Sequence, residues 1–319
     1  MKLMNIKIQP LTAFVTPLKG DTLFGQLCWA LRHNFGESRL KQCLAHYKEQ
    51  PFLVVSDPFA VGYLPRPTVP SRLSGADALS ASERKADKKR RWIPVSALQQ
   101  PLSQWQSLAC SDKDLYQQSL HQATVQAHNT LSRLTGMTGE GQFAPFQIRQ
   151  NWYALGVELD LYIVIDEQLL SDDELHSLLT YVGNTGYGKE ASTGLGKFNV
   201  VELKNTDYQY SEQANAWLTL APSVVSDMAL QIEHCYYQPF TRFGRHGDQL
   251  ALSGQPFKNP LLMLDSGAIL VPEHWQTQLW VGQAVGGSGE LSKALPATVH
   301  QGYTPVLPVF MSDLSETIL

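Results

Sequence analysis

The residues best suited to binding chemistry lie in the glycine-rich segment 183–198, which reads GNTGYGKEASTGLGKF. Five glycines fall within fourteen positions of it. Glycine is costly to order on folding, so this density needs a reason. One reason is that bare backbone amides can approach phosphate oxygens, assisted by nearby ammonium and hydroxyl groups. The candidate phosphate contacts are Gly186, Gly188, Lys189, Ser192, Thr193, Gly194, Gly196 and Lys197. A flexible turn is the alternative interpretation of the same glycines.

The spacing of this segment excludes two common nucleotide-binding motifs. Lys189 does not stand in the G-x-x-x-x-G-K-[ST] pattern of a P-loop. A dinucleotide fingerprint opens a helix, whereas this segment is followed by the stretch 197–203, which predicts a strand. The segment is therefore predicted to link a helix to a strand.

The histidines and cysteines form no recognisable catalytic or metal-binding pattern. His33 and His46 lie near the first predicted helix and are candidates for a general base, and His121 and His128 stand seven residues apart. No H-x-x-E-H pattern or carboxylate cluster accompanies them, so we expect core or surface histidines, no metal and no cofactor. The four cysteines contain no C-x-x-C pair, which argues against a disulfide framework and a zinc site and favours a cytoplasmic location.

Charge is distributed unevenly along the chain. Residues 1–91 contain 15 Lys and Arg against 7 Asp and Glu, whereas residues 92–319 contain 10 against 22. A free-standing, non-specific nucleic-acid binder is normally basic overall, so the net charge of −4 excludes that class and leaves a local basic face as the expectation. The basic run 84–91 is either a solvated charge run, which is the commoner case, or a track for phosphates or an acidic partner.

No apolar run approaches the roughly 18–20 residues of a membrane span.

Hydrophobic patterning places the glycine-rich segment inside a predicted α+β unit. Leu3, Ile6 and Ile8 begin a strand, and a helix follows between Asp21, the predicted N-cap, and Gly36. The further elements predicted are a strand at 52–56, a strand at 152–165, a helix at 171–182 and a strand at 197–203. The order strand–helix–strand–strand–helix–strand is that of the ferredoxin-like fold, which RNA-recognition modules share.

The predicted organisation is an α+β protein with two ferredoxin-like (RRM-like) domains. The first, 1–204, carries the glycine-rich loop and an insertion at about 57–150, in which we expect a mobile loop at 71–91 and a helix at 112–134. The second, 205–319, is predicted to be strand-rich and degenerate, because few helical patterns occur after residue 205.

The glycine-rich loop, placed after the second helix of such a domain, resembles the signature of the RAMP superfamily of CRISPR RNA-binding proteins. Four further segments narrow the resemblance: KGDTLFGQLCWAL (19–31), SDPFAVGYLPRP (56–67), HNTLSRLTG (128–136) and TRFGR (241–245). In this order they resemble the fourth subunit of the Csm (type III-A) effector complex. The resemblance is strong over the first 200 residues and thinner after 250.

This resemblance implies a non-catalytic subunit that holds the 5′ tag of the crRNA for antiviral defence. Its implied partners are a large polymerase-like CRISPR subunit and a stacked backbone RAMP subunit, with no membrane. Carried over by position, the loop residues named above face the tag phosphates, and Lys19, Arg133, Arg242 and Arg245 are further candidate RNA contacts. Glu190 departs from the family pattern, because it places an acid where the loop is usually neutral or basic.

Two other functions stay open at this stage. Relatives with such loops include metal-independent endoribonucleases that process repeat RNA through a histidine-assisted attack by a 2′-hydroxyl. In those relatives the loop lies near the C-terminus, whereas this chain continues from the loop to residue 319. The third possibility is a scaffold that contacts proteins only.

Overall fold

The computed structural model of the chain describes residues 1–74 and 80–312. The first elements along the chain are strand β1 (Lys2–Pro10), helices α1 (Gly20–Phe35) and α2 (Glu37–Leu44), and strand β2 (Leu53–Ala60). Helix α1 follows from leucines four residues apart, at 23, 27 and 31, all of which are buried. It ends at Gly36, whose φ of 88° is readily adopted by glycine, as the sequence predicts.

An insertion of short elements follows β2. Its members are β3 (Tyr63–Pro65), α3 (Ser71–Ser74), α4 (Ala81–Asp87), β4 (Arg90–Pro94), α5 (Trp105–Leu108), β5 (Cys110–Ser111), α6 (Asp112–Tyr116), β6 (His121–His128) and β7 (Phe146–Tyr153). Strands β3, β4 and β5 form one small sheet, and β6 and β7 form a hairpin paired over eight residues of each strand.

Two predictions for the insertion are wrong. The helix expected at 112–134 stops at Tyr116, because Gln117 adopts a left-handed conformation (φ 57°) and the chain then enters β6. The stretch 71–91, expected as a mobile loop, contains α3 and α4 and the start of β4 in its described part, while residues 75–79 lie outside the described residues. A capping box between Ser80 and Glu83 explains why α4 forms in so polar a segment.

The chain then completes its first sheet with β8 (Leu159–Ile165), α7 (Asp172–Thr185) and β9 (Phe198–Asn205). The strand order is β2-β8-β1-β9, with antiparallel neighbours throughout, and Ile6 of β1 lies opposite Leu161 of β8 and Leu203 of β9. The predicted capping box of α7 is present, because Ser171 and Glu174 satisfy each other's backbone amides. The predicted order of strands and helices is therefore found in this sheet.

The remaining chain is built from strands. They are β10 (Ala216–Thr219), β11 (Pro239–Arg242), β12 (Leu261–Leu264), β13 (Ile269–Leu270), β14 (Trp280–Gly282), β15 (Val285–Gly286), β16 (Val299–His300) and β17 (Tyr303–Val309). The second sheet has the order β13-β10-β17-β14. Among the described residues of this part of the chain, 206–312, only short 3₁₀ turns occur between the strands, so a second ferredoxin-like arrangement is not confirmed.

One hydrophobic core is shared by both sheets. Leu218, Tyr303 and Leu307 of the second sheet belong to the same buried cluster as the strands and helices of the first. Hydrogen bonds also join the two halves of the chain. The side-chain amide of Gln301, just before β17, accepts from the N–H of Val55 in β2 and donates to its C=O. None of the helices in the described ranges is long and apolar enough to span a membrane.

Candidate nucleic-acid interface

The glycine-rich loop connects α7 to β9 and folds back on itself. Tyr187 is fully buried at its centre, where its hydroxyl donates to the carbonyl of Pro17 (2.9 Å) and accepts from the amide of Lys19 (3.2 Å). A Cβ at Gly196 would collide with the backbone of Tyr187, and one at Gly186 would collide with the carbonyl of Leu195. These glycines are therefore required by close crossing of backbone segments.

Most amides of the loop are already occupied. Eight of them donate to acceptors within the protein, at Gly186, Tyr187, Lys189, Thr193, Gly194, Leu195, Gly196 and Lys197. The amides of Lys189 and Lys197 donate to the hydroxyls of Thr16 and Thr12, so the loop is hydrogen-bonded to the segment before α1. The predicted amide cradle for phosphate is thus wrong at these eight positions, because intramolecular acceptors take up the N–H groups.

The loop still presents polar side chains to solvent. Lys189 and Ser192 are exposed, and Lys197 is half-buried. The hydroxyl of Thr193 donates to the carbonyl of Glu190, whose own φ of 65° closes the turn. Gly188 packs against Thr16, whereas Gly194 has open space around it. Lys189, Ser192, Thr193 and Lys197 are therefore the predicted contact residues whose side chains reach solvent at this loop.

Lys19 is placed by two carboxylates. Its Nζ lies 2.7 Å from Asp57 and 2.8 Å from Asp265, which follows β12. Burial opposes the charge on Lys19, but the two carboxylates outweigh it and raise the pKa of this ammonium. Asp57 also accepts the amide of Gly20 at 2.9 Å. Asp57 therefore does the N-terminal capping that the sequence analysis assigned to Asp21.

Asp21 lies inside α1 and is fully buried, so its assignment as the N-cap is wrong. It accepts two hydrogen bonds from Arg242, at 2.7 and 3.0 Å, and lies 3.2 Å from the ring of His300. Burial disfavours the carboxylate, but His300 and Arg242 more than compensate and lower the pKa of Asp21. Arg242, predicted to contact RNA, is therefore engaged in holding the second half of the chain onto α1.

The other two predicted arginines are exposed. Arg245 lies 5.8 Å above the ring of Phe257 and donates to the carbonyl of Ala251 at 2.7 Å. Arg133 lies in the turn of the β6–β7 hairpin. These side chains and the glycine-rich loop stand on separate elements of the fold.

The segment before α1, to which the loop is hydrogen-bonded, also lines a basic cleft of about 910 Å³. Its wall includes Phe14, Pro17 and Lys19 of that segment together with residues of the insertion. The cationic and imidazole side chains of the wall are Lys19, Arg66, Lys88, Arg90, Arg91, His121 and Arg149. The wall carries six Lys and Arg side chains against two carboxylates, Asp57 and Asp265, so it is positive as a whole, and both carboxylates are paired with Lys19.

The cleft cations are of two kinds. Arg91 bonds to Asp112 through two 2.8 Å contacts while its guanidinium lies 4.9 Å above the ring of Trp92, so it is fixed in place. Arg66 is likewise bound to Asp87 at 2.9 Å. In contrast, Lys88, Arg90 and Arg149 are exposed at the rim. A rigid inner wall with exposed rim cations suits a flexible polyanion such as a single nucleic-acid strand.

Sequence reasoning missed most of this cleft. Of the residues predicted to contact RNA, all of which are described, Lys19 alone is part of its wall. The available signal was the basic run 84–91, because Lys88, Arg90 and Arg91 of that run line the cleft. Arg66 and Arg149 are isolated basic residues in the sequence, and only the folding of the insertion brings them to the wall of the cleft. Across the described ranges, no group of three or more His, Cys, Asp or Glu side chains is arranged to hold a metal ion.

The sequence matches no protein-family profile and no curated protein. Solved structures are nevertheless similar to it over almost the entire chain. One is from a Csm1–Csm4 cassette in complex with pppApA, with 13% identity, a TM-score of 0.58 and coverage of 98% of this chain and 100% of that one. Another is from a Csm3–Csm4 subcomplex of the type III-A CRISPR-Cas interference complex, with 13% identity, a TM-score of 0.59 and coverage of 97% and 99%. The component common to both assemblies is Csm4, so the chain is similar in fold, over nearly its whole length, to Csm4.

Proposed function

We propose that this chain is a non-catalytic RNA-binding subunit of a type III-A (Csm) CRISPR effector complex. In this role it holds the 5′ tag of the crRNA and joins the large polymerase-like subunit to the first backbone RAMP subunit. Its fold supports the assignment to such a complex, because the similar solved chains come from assemblies named for Csm1, Csm3 and Csm4.

The basic cleft is the observation that supports RNA binding. Its volume of about 910 Å³ is large enough for several nucleotides of an unpaired strand, and its wall carries six Lys and Arg side chains against two carboxylates. Exposed Lys88, Arg90 and Arg149 would contact phosphates, while the fixed guanidinium of Arg91 offers a flat cationic surface to a base. Lys189 and Ser192 are exposed on the loop that is hydrogen-bonded to the segment of the cleft wall before α1, and they would add further contacts.

The first sheet supports the ferredoxin-like interpretation. Numbered along the chain, its strands lie in the order second, third, first, fourth, with α1 and α7 as the two connections that carry long helices. This is the arrangement of the ferredoxin-like split. We propose that the second sheet is a reduced version of the same unit, which would explain its strand-rich character.

A structural role fits the histidines better than a catalytic one. His33 contacts the hydroxyl of Tyr181 at 3.1 Å, and neither it nor His46 belongs to the wall of the cleft. His121 does line the cleft, beside Tyr153. Cleavage by a 2′-hydroxyl needs one group to remove a proton and another to protonate the leaving oxygen. A single cleft histidine among the described residues supports binding over cleavage.

The proposal is tested by reconstituting the chain with a large polymerase-like subunit, a backbone RAMP subunit and a crRNA. Assembly should give a complex in which photo-crosslinks from the 5′ tag fall on the cleft residues Lys88, Arg90 and Arg149. Crosslinks confined to the other subunits would contradict tag binding. A chain that fails to join either subunit would contradict membership of the complex.

A further inference from the structure

Residues 239–264 form a two-stranded arm in the second half of the chain. Strands β11 and β12 pair from Pro239 opposite Leu264 to Arg242 opposite Leu261. The pairing continues beyond them through Arg245 and Phe257, and through the amides of Lys258 and His246, which donate to the carbonyls of Gly244 and Pro256 at 2.9 and 2.8 Å. We refer to residues 239–264 as the arm.

One face of the arm is anchored to the protein. Arg242 is held by the buried Asp21 of α1, and the ring of His246, which is 6% exposed, lies 2.8 Å from the hydroxyl of Ser292. Gly247 packs so closely on the indole of Trp29 that a Cβ there would collide with the ring. The arm is therefore fixed to Asp21 and Trp29 of α1 and to Ser292, so its outer face is held in place.

The outer face is apolar and exposed. Phe243 is 73% exposed, and Phe257 and Leu262 are 70% and 68% exposed. Thr241, Phe243 and Arg245 are exposed, whereas Arg242 and Gly244 between them are less so, and Leu262 lies opposite Thr241 and Phe257 opposite Arg245. The three large apolar side chains thus form one strip. A contiguous exposed apolar surface of this kind marks an interaction site in soluble proteins.

We infer that the outer face of the arm docks a partner protein that presents an apolar patch and a carboxylate for Arg245. A protein suits this surface better than RNA for two reasons. Residues 205–319 contain ten Asp and Glu against four Lys and Arg, so this half of the chain is acidic and disfavours a polyanion. Of the arm's own cations, Arg242 is paired with Asp21 and Lys258 is half-buried with its side chain against Gly244, so Arg245 is the exposed cation beside the apolar strip. Buried aromatic residues beside an arginine are the usual energetic centre of a protein interface.

This inference rests on the proposed function, since the partner it names is a subunit of the same complex. A rigid, preformed strip lowers the entropic cost of docking, so truncation of its aromatic side chains should weaken binding strongly. The double substitution Phe243→Ala with Phe257→Ala is expected to weaken assembly with either the large or the backbone subunit by about tenfold or more. Leu155→Ala is the matched control, because Leu155 is fully exposed but lies outside the arm.

Pairwise affinity for each purified subunit is the measurement, with thermal unfolding of each variant to show that the fold is kept. Wild-type affinity of the double variant for both subunits would overturn the inference and leave the proposed function standing. Loss of crosslinked RNA with both protein affinities intact would also overturn it, because the strip would then be an RNA surface. If the wild-type chain binds neither subunit, the proposed function itself fails, and the arm inference fails with it.

Hydrogen exchange gives a second measurement that needs no substitution. On assembly of the wild-type chain, amides of residues 241–245 and 257–262 should become protected relative to the free chain. Unchanged exchange there, in a complex that does form, would overturn the inference.

Discussion

Arg242 donates two hydrogen bonds to the fully buried carboxylate of Asp21, although 221 positions separate the two residues in the sequence. The pair joins the arm to the first turn of α1, next to Lys19 at the wall of the basic cleft. Lys19 makes a second such link through Asp265, directly after the arm. The geometry of the cleft therefore depends on both halves of the chain.

Removal of Arg242 should destabilise the protein strongly. A buried carboxylate that loses its partner typically costs about 3–5 kcal/mol, and Arg242→Ala is expected to lower the free energy of unfolding by about that amount. Arg245→Ala is the matched control on the same strand extension, and its effect should stay within about 0.5 kcal/mol because the side chain is exposed. Urea unfolding monitored by fluorescence measures both. Equal losses in the two variants would show that the Asp21 pair is not specially important.

Stability should fall as the pH drops below about 6.5, in part through His246. Burial, followed by the charge of Lys258, lowers the pKa of His246 below the usual value of 6.5. The unfolded chain therefore binds a proton at a pH where the folded chain does not, and the stabilisation is lost between pH 6.5 and the lower folded pKa. Thermal unfolding from pH 7.5 to 5 should show this decline, and His246→Gln should flatten it. An unchanged slope in that variant would exclude His246 as a source.

The sequence predicted the elements whose signals are local. Ser171 with Glu174, and Gly36 after a leucine stripe, act through neighbours in the chain, and both are found where they were expected. Asp21 was misassigned because its partners, Arg242 and His300, come from distant segments. The prediction of a helix at 112–134 was wrong for a related reason. Strand β6 is stabilised by its pairing with β7, and the local pattern of apolar residues carries no information about that pairing. The cleft was not predicted for the same reason, because Arg66 and Arg149 are far apart in the sequence and line one cleft only after the chain folds.

The loop glycines should differ in importance according to their surroundings. Gly196 has a φ of 73° and faces the backbone of Tyr187, whereas Gly194 has a φ of 92° and open space around it. Gly194→Ala should cost about 1–2 kcal/mol, from backbone strain alone. Gly196→Ala adds a steric collision of about 1–3 kcal/mol, so it should destabilise more. Chemical unfolding of the two variants measures the difference. If Gly194→Ala proved the more harmful, tight crossing at Tyr187 would not explain the loop.

Rim cations of the cleft should set the salt dependence of RNA binding. The triple variant Lys88→Ala, Arg90→Ala, Arg149→Ala should weaken binding of a single-stranded RNA and reduce the slope of log affinity against log salt by about 2, since each phosphate contact on a single strand contributes about 0.7. The matched control replaces three exposed lysines outside the cleft, Lys113, Lys204 and Lys293, with alanine. Fluorescence anisotropy at salt concentrations between about 50 and 300 mM measures the slope for the triple variant and for the control. Equal slopes would place the phosphate contacts elsewhere.

The chain should leave repeat RNA intact in the absence of metal. Burial, followed by the charge of Arg91, lowers the pKa of His121, so this cleft histidine is neutral near pH 7 and is a suitable proton acceptor. A proton donor for the leaving oxygen is also required, and the described residues of the cleft wall include no second histidine to supply it. End-labelled repeat RNA incubated with the pure chain and chelator should therefore give no fragments with 2′,3′-cyclic phosphate ends. Fragments that appear with the wild type and vanish with His121→Ala, but persist with His33→Ala, would establish the endoribonuclease instead and locate its base in the cleft.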